Sequence, residues 1–284
     1  MNFNNLSKLF RYVNNNGDSV VFDFAGGYLI NKPNGIDTLA ISLAQAKGIN
    51  QTGATIQSTN VQPRPVNITG FLVGDMQSEN KDRLISVIRP DIGGKLYADD
   101  FYLNVWPTAT PTIEATPHSA RFQFSLLAAY PYWCKDDRAG QSLSGVEKLF
   151  KFPWNISQSY QFGKVTEAKF INVFNSGQVP VPFTATFTAK GRVVNPKISN
   201  AMTGKTMLVK KSLAAGEILT VNITHDRTSV TSNIDGECRG ALSLSSNLFE
   251  LDVGDNVLKP EADSGLESLR IDIDFAIEIV GIAL

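Results

Sequence analysis

The chain has 284 residues, 43% hydrophobic and 19% charged, with 26 Lys and Arg against 27 Asp and Glu for a formal net charge of −1. That composition can bury a sizeable core and suits about two ordinary domains, although one large β domain fits the length too. Residues 1–134 hold 10 basic and 10 acidic side chains and the rest 16 and 17, so neither half has the basic excess with which proteins grip phosphates.

After about fifteen residues without clear periodicity, Asn16-Gly17-Asp18 marks a turn. Val20–Phe24 and Tyr28–Ile30 read as strands turned at Gly26-Gly27. From Gly35 to Pro63, two β-leaning segments, Ile36–Leu43 and Ala54–Val61, flank the polar AQAKGINQTG. This predicts a hairpin with a long polar apex and too few large side chains for a core of its own. A two-stranded hairpin alone is marginal in water. It is therefore either a loose surface feature or an arm packing on a neighbouring subunit.

Pro65–Val73 resumes alternation, with Val66, Ile68, Gly70 and Leu72 on one face. A helix follows, capped by Asp75 or Ser78, with an apolar stripe of Leu84, Ile85 and Ile88, and ended by Pro90. Lys95–Tyr97 and Phe101–Trp106 read as strands around Asp99-Asp100, and PTATPTIEATP as a crossing. In RFQFSLLAAYPYWC (Arg121–Cys134), the even positions Phe122, Phe124, Leu126, Ala128 and Tyr130 are apolar and the early odd positions Arg121, Gln123 and Ser125 are polar. This is a long strand with one face on a core. The rigid Tyr130-Pro131-Tyr132-Trp133 then reads as a hinge into a second domain. Domains at 1–134 and 135–284 are expected.

Beyond the hinge the pattern is all β. Phe183–Lys190, Leu219–Thr224 and Leu269–Ile279 alternate apolar and polar residues, and turn signals recur at short intervals. The last of these places Arg270, Asp272, Asp274 and Glu278 on an exposed face. Such spacing suggests a two-sheet sandwich or jelly roll.

Motifs for catalysis are few. His118 and His225 fit no metal or metalloprotease spacing, and Cys134 and Cys238 are far apart and read as buried or idle thiols. There is no nucleophile elbow or phosphate-cradling loop. Ser78-x-x-Lys81 stands without partner motifs, and Asp272 with Asp274 reads as a solvated pair. No enzyme activity, cofactor or metal is expected. No apolar run nears the ~18–20 residues of a membrane span, so no membrane insertion is expected. MNFNNLSKLFRYV lacks the features of a secretory signal. Trp106, Trp133 and Trp154 read as packing residues, although an exposed Trp can also hold sugar.

Four ordered stretches carry a resemblance: RPVNITGFLVGD with the following helix and IRPDIGGKLYADD; RFQFSLLAAYPYW; FINVFNSG with the Phe183–Gly191 strand and the Asn195-Pro196 turn; and FELDVGDNV. In these the chain resembles a distal tail protein of siphovirus-like bacteriophages or prophages of Gram-positive bacteria. The resemblance implies a tail-tube-like sandwich with one flanking helix and a long hairpin arm, followed by a galectin-like jelly roll. It also implies a hexameric ring in the virion, joining the tail tube to the tip or baseplate. Its partners would be the tail tube protein, a tail-associated lysin or tip protein and a receptor-binding protein. DNA would pass through without specific binding. Arm residues Ile36, Leu39, Ile41, Leu43, Ile49, Ile56 and Val61 would form the subunit interface, with the chain made in the host cytoplasm. The competing reading is a carbohydrate-binding β-sandwich that attaches to the host wall.

Overall fold

The computed structural model describes residues 9–74, 77–115, 120–143, 146–147, 164–165 and 170–283. Two compact units emerge: residues 1–136 with 278–284, and residues 137–277. The chain thus enters the second unit once and returns to the first, so 278–284 leave the expected second domain.

The first unit is a ten-stranded antiparallel sheet, which includes the returning strand Glu278–Ile279, with one helix and a separate two-stranded hairpin. Its strands are β1 (Phe10–Asn14), β2 (Ser19–Phe22), β3 (Tyr28–Ile30), β4 (Ile41–Ala46), β5 (Thr55–Val61), β6 (Arg64–Leu72), β7 (Gly94–Ala98), β8 (Phe101–Pro107), β9 (Thr112–Ala115), β10 (Ala120–Ala128) and β11 (Trp133–Lys135); the helix, α1, is Gln77–Val87. The path runs β2-β1-β7-β8-β10-β6-β3, with β9 on β10 and β11 on β8, while β4 and β5 pair only with each other. The sequence pattern missed β1, and β9 lies within the expected crossing.

Alternation builds the core. Along β6 and β10 every second residue is buried, and the register sets Phe124 opposite Ile68 and Leu126 opposite Val66. Gly70 is needed because any Cβ there would lie 2.7 Å from the Phe122 ring. Phe22, Tyr28, Phe122 and Phe124 form an aromatic cluster, with Phe22 and Phe124 centroids 5.8 Å apart. The helix buries Leu84 and Val87, with Ile88 buried just past its end, whereas Ile85 of the expected stripe stays exposed. Tyr28 donates its hydroxyl to the Asn80 carbonyl at 3.1 Å, and Arg83 donates to the Ser19 carbonyl at 2.9 Å, so the helix is tied to the strands beneath it.

The second unit is a β-sandwich. One sheet has the order Ala139–Ser142, Leu269–Phe275, Phe183–Ala189, Ile218–Ile223, Thr228–Ser232, Gly236–Glu237; the other has Ile171–Asn175, Gly254–Glu261, Lys197–Asn200, Thr206–Leu208. Phe183, Ala185 and Phe187 face Phe275, Ile273 and Ile271 across the central ladder, all buried. Ala139–Ser142 is an edge strand of this sheet.

The final alternation breaks in two. The strand Leu269–Phe275 ends in the second unit, and Glu278–Ile279 pairs with β11 in the first. The break resets which face points inward, and Glu278 is buried rather than exposed.

Candidate functional site

The feature without a place in either core is the β4–β5 hairpin. Every residue of its two strands is exposed except Ala46, which is half-buried. Ile41 pairs with Val61 and Leu43 with Thr59; at Ala44/Gln45 the register shifts, leaving Gln57 unmatched and Ile56 opposite Gln45. In strict alternation Ile56 would lie on the face opposite Val61. The bulge carries it to the face of Ile41, Leu43 and Val61. One side of the arm therefore carries Ile41, Leu43, Ile56 and Val61 together with Gln45 and Thr59, and the other is Ser42, Ala44, Ser58 and Asn60. Ile49 at the tip is 98% exposed, and Leu39 at the entry is half-buried.

Ile36 is the exception among the expected arm residues. It is fully buried, and its carbonyl accepts three hydrogen bonds: from Arg64 Nη1 at 3.0 Å, Trp133 Nε1 at 3.0 Å and the Ile282 amide at 3.2 Å. It belongs to the root of the arm. Gly35 beside it has φ of 89°, and a Cβ there would lie 2.1 Å from the Pro65 carbonyl oxygen, so only glycine fits.

Arg64 holds that root. Its buried guanidinium donates from Nε to the Pro131 carbonyl at 2.7 Å, from Nη1 to Gly35 and Ile36, and from Nη2 to Val280. Desolvation lowers its pKa, partly opposed by Asp37 and Tyr132, and the five-donor fork is spent on main-chain oxygens. One side chain thus joins the arm entry, the Pro131 segment and the returning C-terminal segment.

The expected hinge, Tyr130 to Trp133, lies inside the first unit. Trp133 is fully buried and pairs with Ile279, and Tyr130 donates its hydroxyl to the buried Glu278 carboxylate at 2.5 Å. Pro131 is buried, and Tyr132 packs edge-on against Tyr130 with centroids 5.3 Å apart. Cys134 is buried, and desolvation together with the Glu278 charge pushes its thiol up to about 12, which makes it inert. The boundary lies later, between residues 136 and 137. Periodicity gave no sign of Arg64 as an anchor; a charged residue at an inward-facing position of a strand was the available signal.

In the second unit a polar cavity of about 610 Å³ is lined by residues including His225, Asp226, Arg227, Arg239 and Glu250. His225 Nδ1 lies 3.4 Å from Glu250, and the aromatic ring in the lining, Phe249, is 4% exposed. A sugar would therefore find polar partners here without an open ring to stack on. Trp154 and His118 lie outside the described residues. Among the described residues no His, Cys, Asp and Glu cluster could hold a metal, and no helix is long and apolar enough to cross a membrane.

A β protein with a rooted but uncovered hairpin presents a surface for association. Residues 176–274 match the family model of the siphovirus-type tail component, C-terminal domain. The crystal structure of SPP1 Dit, described as a paradigm of the hub adsorption apparatus in phages infecting Gram-positive bacteria, is similar in fold, with a TM-score of 0.70 at 11% identity over 95% of this chain and 98% of that one. A chain of the phage P2 baseplate in its activated conformation with Ca has a TM-score of 0.50 at 9% identity, over 97% and 99%. No curated protein sequence matches. Over residues 176–274 the second unit is thus similar to the siphovirus-type tail component, C-terminal domain, and the whole chain shares the fold of SPP1 Dit.

Proposed function

We propose that the chain is a structural component of a phage tail that assembles into a hexameric ring. The ring joins the tail tube to the tip or baseplate adsorption apparatus and leaves a channel for DNA. The observation that carries this is the arm: four large apolar side chains on one face of a hairpin with no further strand partner, in a fold like that of a phage hub protein. A hairpin of this kind gains a stable environment by packing on another copy. Its partners are the tail tube protein, a tail-associated lysin or tip protein and a receptor-binding protein. The chain is made in the host cytoplasm and resides in the virion. A near-neutral chain suits a conduit through which DNA slides.

Light scattering and negative-stain microscopy of the full chain, alone and with the tail tube protein, test this. Six-fold rings are expected, and replacing Ile41–Val61 by a short turn should abolish them. A chain that stays monomeric under both conditions, or rings indifferent to the replacement, would overturn the reading.

A further inference from the structure

The arm is unusual in charge as well as in exposure. Between Thr38 and Gln62 the one charged side chain is Lys47, in a chain that is 19% charged. A partner surface for such an arm should be uncharged as well, since burying an unpaired charge against it is costly. A largely uncharged surface lies on the outer faces of β6, β8 and β10.

There the register sets Leu127 opposite Trp106 on one side and Pro65 on the other, giving an apolar rung across three strands. All three are exposed, Trp106 at 53% and Leu127 at 39%. The next rungs, Ser125 with Asn67 and Gln123 with Thr69 and Thr112, are neutral and polar. With Thr108 they line a hollow of about 350 Å³. Charge flanks this surface at Arg121 and Glu114 one rung further, at Lys95 opposite Asn104, and at the Arg89–Asp91 ion pair either side of Pro90.

Trp106 is fixed in place before any partner arrives. Its Nε1 donates to the Pro90 carbonyl at 2.8 Å, and its ring lies so close to Gly93 that a Cβ there would stand 2.7 Å away. A rigid aromatic anchor loses little entropy on contact.

We propose that this rung and the neutral hollow beside it receive the arm of a second copy. The apolar face of Ile41, Leu43, Ile56 and Val61 lies on Trp106, Leu127 and Pro65, and Gln45 and Thr59 on that same face meet the hollow. This names the acceptor within the ring reading and rests on it. Strands of six and seven residues reach roughly 20 Å, enough to cross onto a neighbour. Val61 precedes β6 by two residues, so the acceptor lies beside the root of its own arm. Each copy would then donate an arm and receive one, a head-to-tail contact that closes into a ring.

The test is a cysteine pair in the full chain with Cys238→Ser: Leu43→Cys, or alternatively Ile41→Cys or Ile56→Cys, each with Leu127→Cys. Bridging needs Cα atoms within about 7 Å. Mild oxidation should give a ladder of covalent oligomers up to ring size for at least one pair. Pairing Leu43→Cys with Phe24→Cys, an exposed site elsewhere in the unit, should give none. Arm-dependent oligomers without a ladder from any Leu127 pair, or a ladder equally from Phe24, would overturn the acceptor while leaving the arm's role standing. Oligomers that persist without the arm would overturn the ring reading beneath it.

Discussion

β4–β5 and β6–β10 are both antiparallel ladders of the first unit, and only two residues separate β5 from β6. Along β6–β10 every second side chain is buried; along β4–β5 none is. Main-chain pairing alone therefore does not secure a hairpin here. The second ladder is held by the layer beneath it, and the first by what happens at its root. Arg64, the first residue of β6, is where one regime gives way to the other.

The largest loss should come at that residue. Arg64→Ala leaves the carbonyls of Gly35, Pro131 and Val280 short of a donor and takes one of three from Ile36. With each orphaned buried group costing about 1–3 kcal/mol, a loss above about 3 kcal/mol is expected in urea unfolding. Arg64→Lys should recover little, since an ammonium cannot fork to the same oxygens. A loss below about 1 kcal/mol would show that the root is held elsewhere.

Trp133→Gly comes next. The sequence suggests a substitution that loosens a hinge and leaves both domains folded. A side chain with no exposure and a hydrogen bond to Ile36 points instead to about 3–5 kcal/mol lost from the first unit. An unchanged unfolding midpoint would restore the hinge.

An acid-sensitive contribution should belong to the second unit. Burial raises the Glu261 pKa, but hydrogen bonds from Lys197, Lys259 and Ser199 outweigh it and hold the carboxyl at about 2. The lysines lie at 2.7 and 2.6 Å. A carboxyl depressed in the folded state stabilises above its ordinary value and loses that contribution as pH falls toward about 2. Glu261→Gln should cost on the order of 1 kcal/mol at neutral pH, given the partial exposure of the lysines. It should also flatten the fall in melting temperature below pH 4.5. A variant with the unaltered acid slope would discount the cluster.

How much of this could be read beforehand follows the same contrast. Where strands lie on a core, period-two alternation showed them: Val66 to Leu72, Phe122 to Ala128, Phe183 to Ala189. The arm was legible for the opposite reason, as β-leaning segments with nothing large to pack. Long-range pairing was not legible. Ile36 continues the apolar pattern of the arm, and only its three donors, from β6, β11 and the C-terminal segment, mark it as root. Glu278 obeys an alternation that the strand break has already ended. Arg64 resembles any charged residue until its acceptors, up to 216 positions away, are brought to it.

The smallest effect on folding should come from the arm, and there the contrast is sharpest. Ile41→Asp with Leu43→Asp changes two side chains that are 53% and 46% exposed. Surface changes of this kind stay within about 0.5 kcal/mol each, so the unfolding midpoint of the dissociated chain should barely move. Assembly should respond quite differently, since each copy would bring two unpaired carboxylates onto a largely uncharged surface. Ring formation at micromolar protein should fall at least tenfold by light scattering. The same pair of substitutions on the buried face of β6, at Val66 and Ile68, should unfold the unit. If the arm variant assembled normally, its exposed apolar face would be only loose surface. If it unfolded the unit, the arm would belong to the core after all.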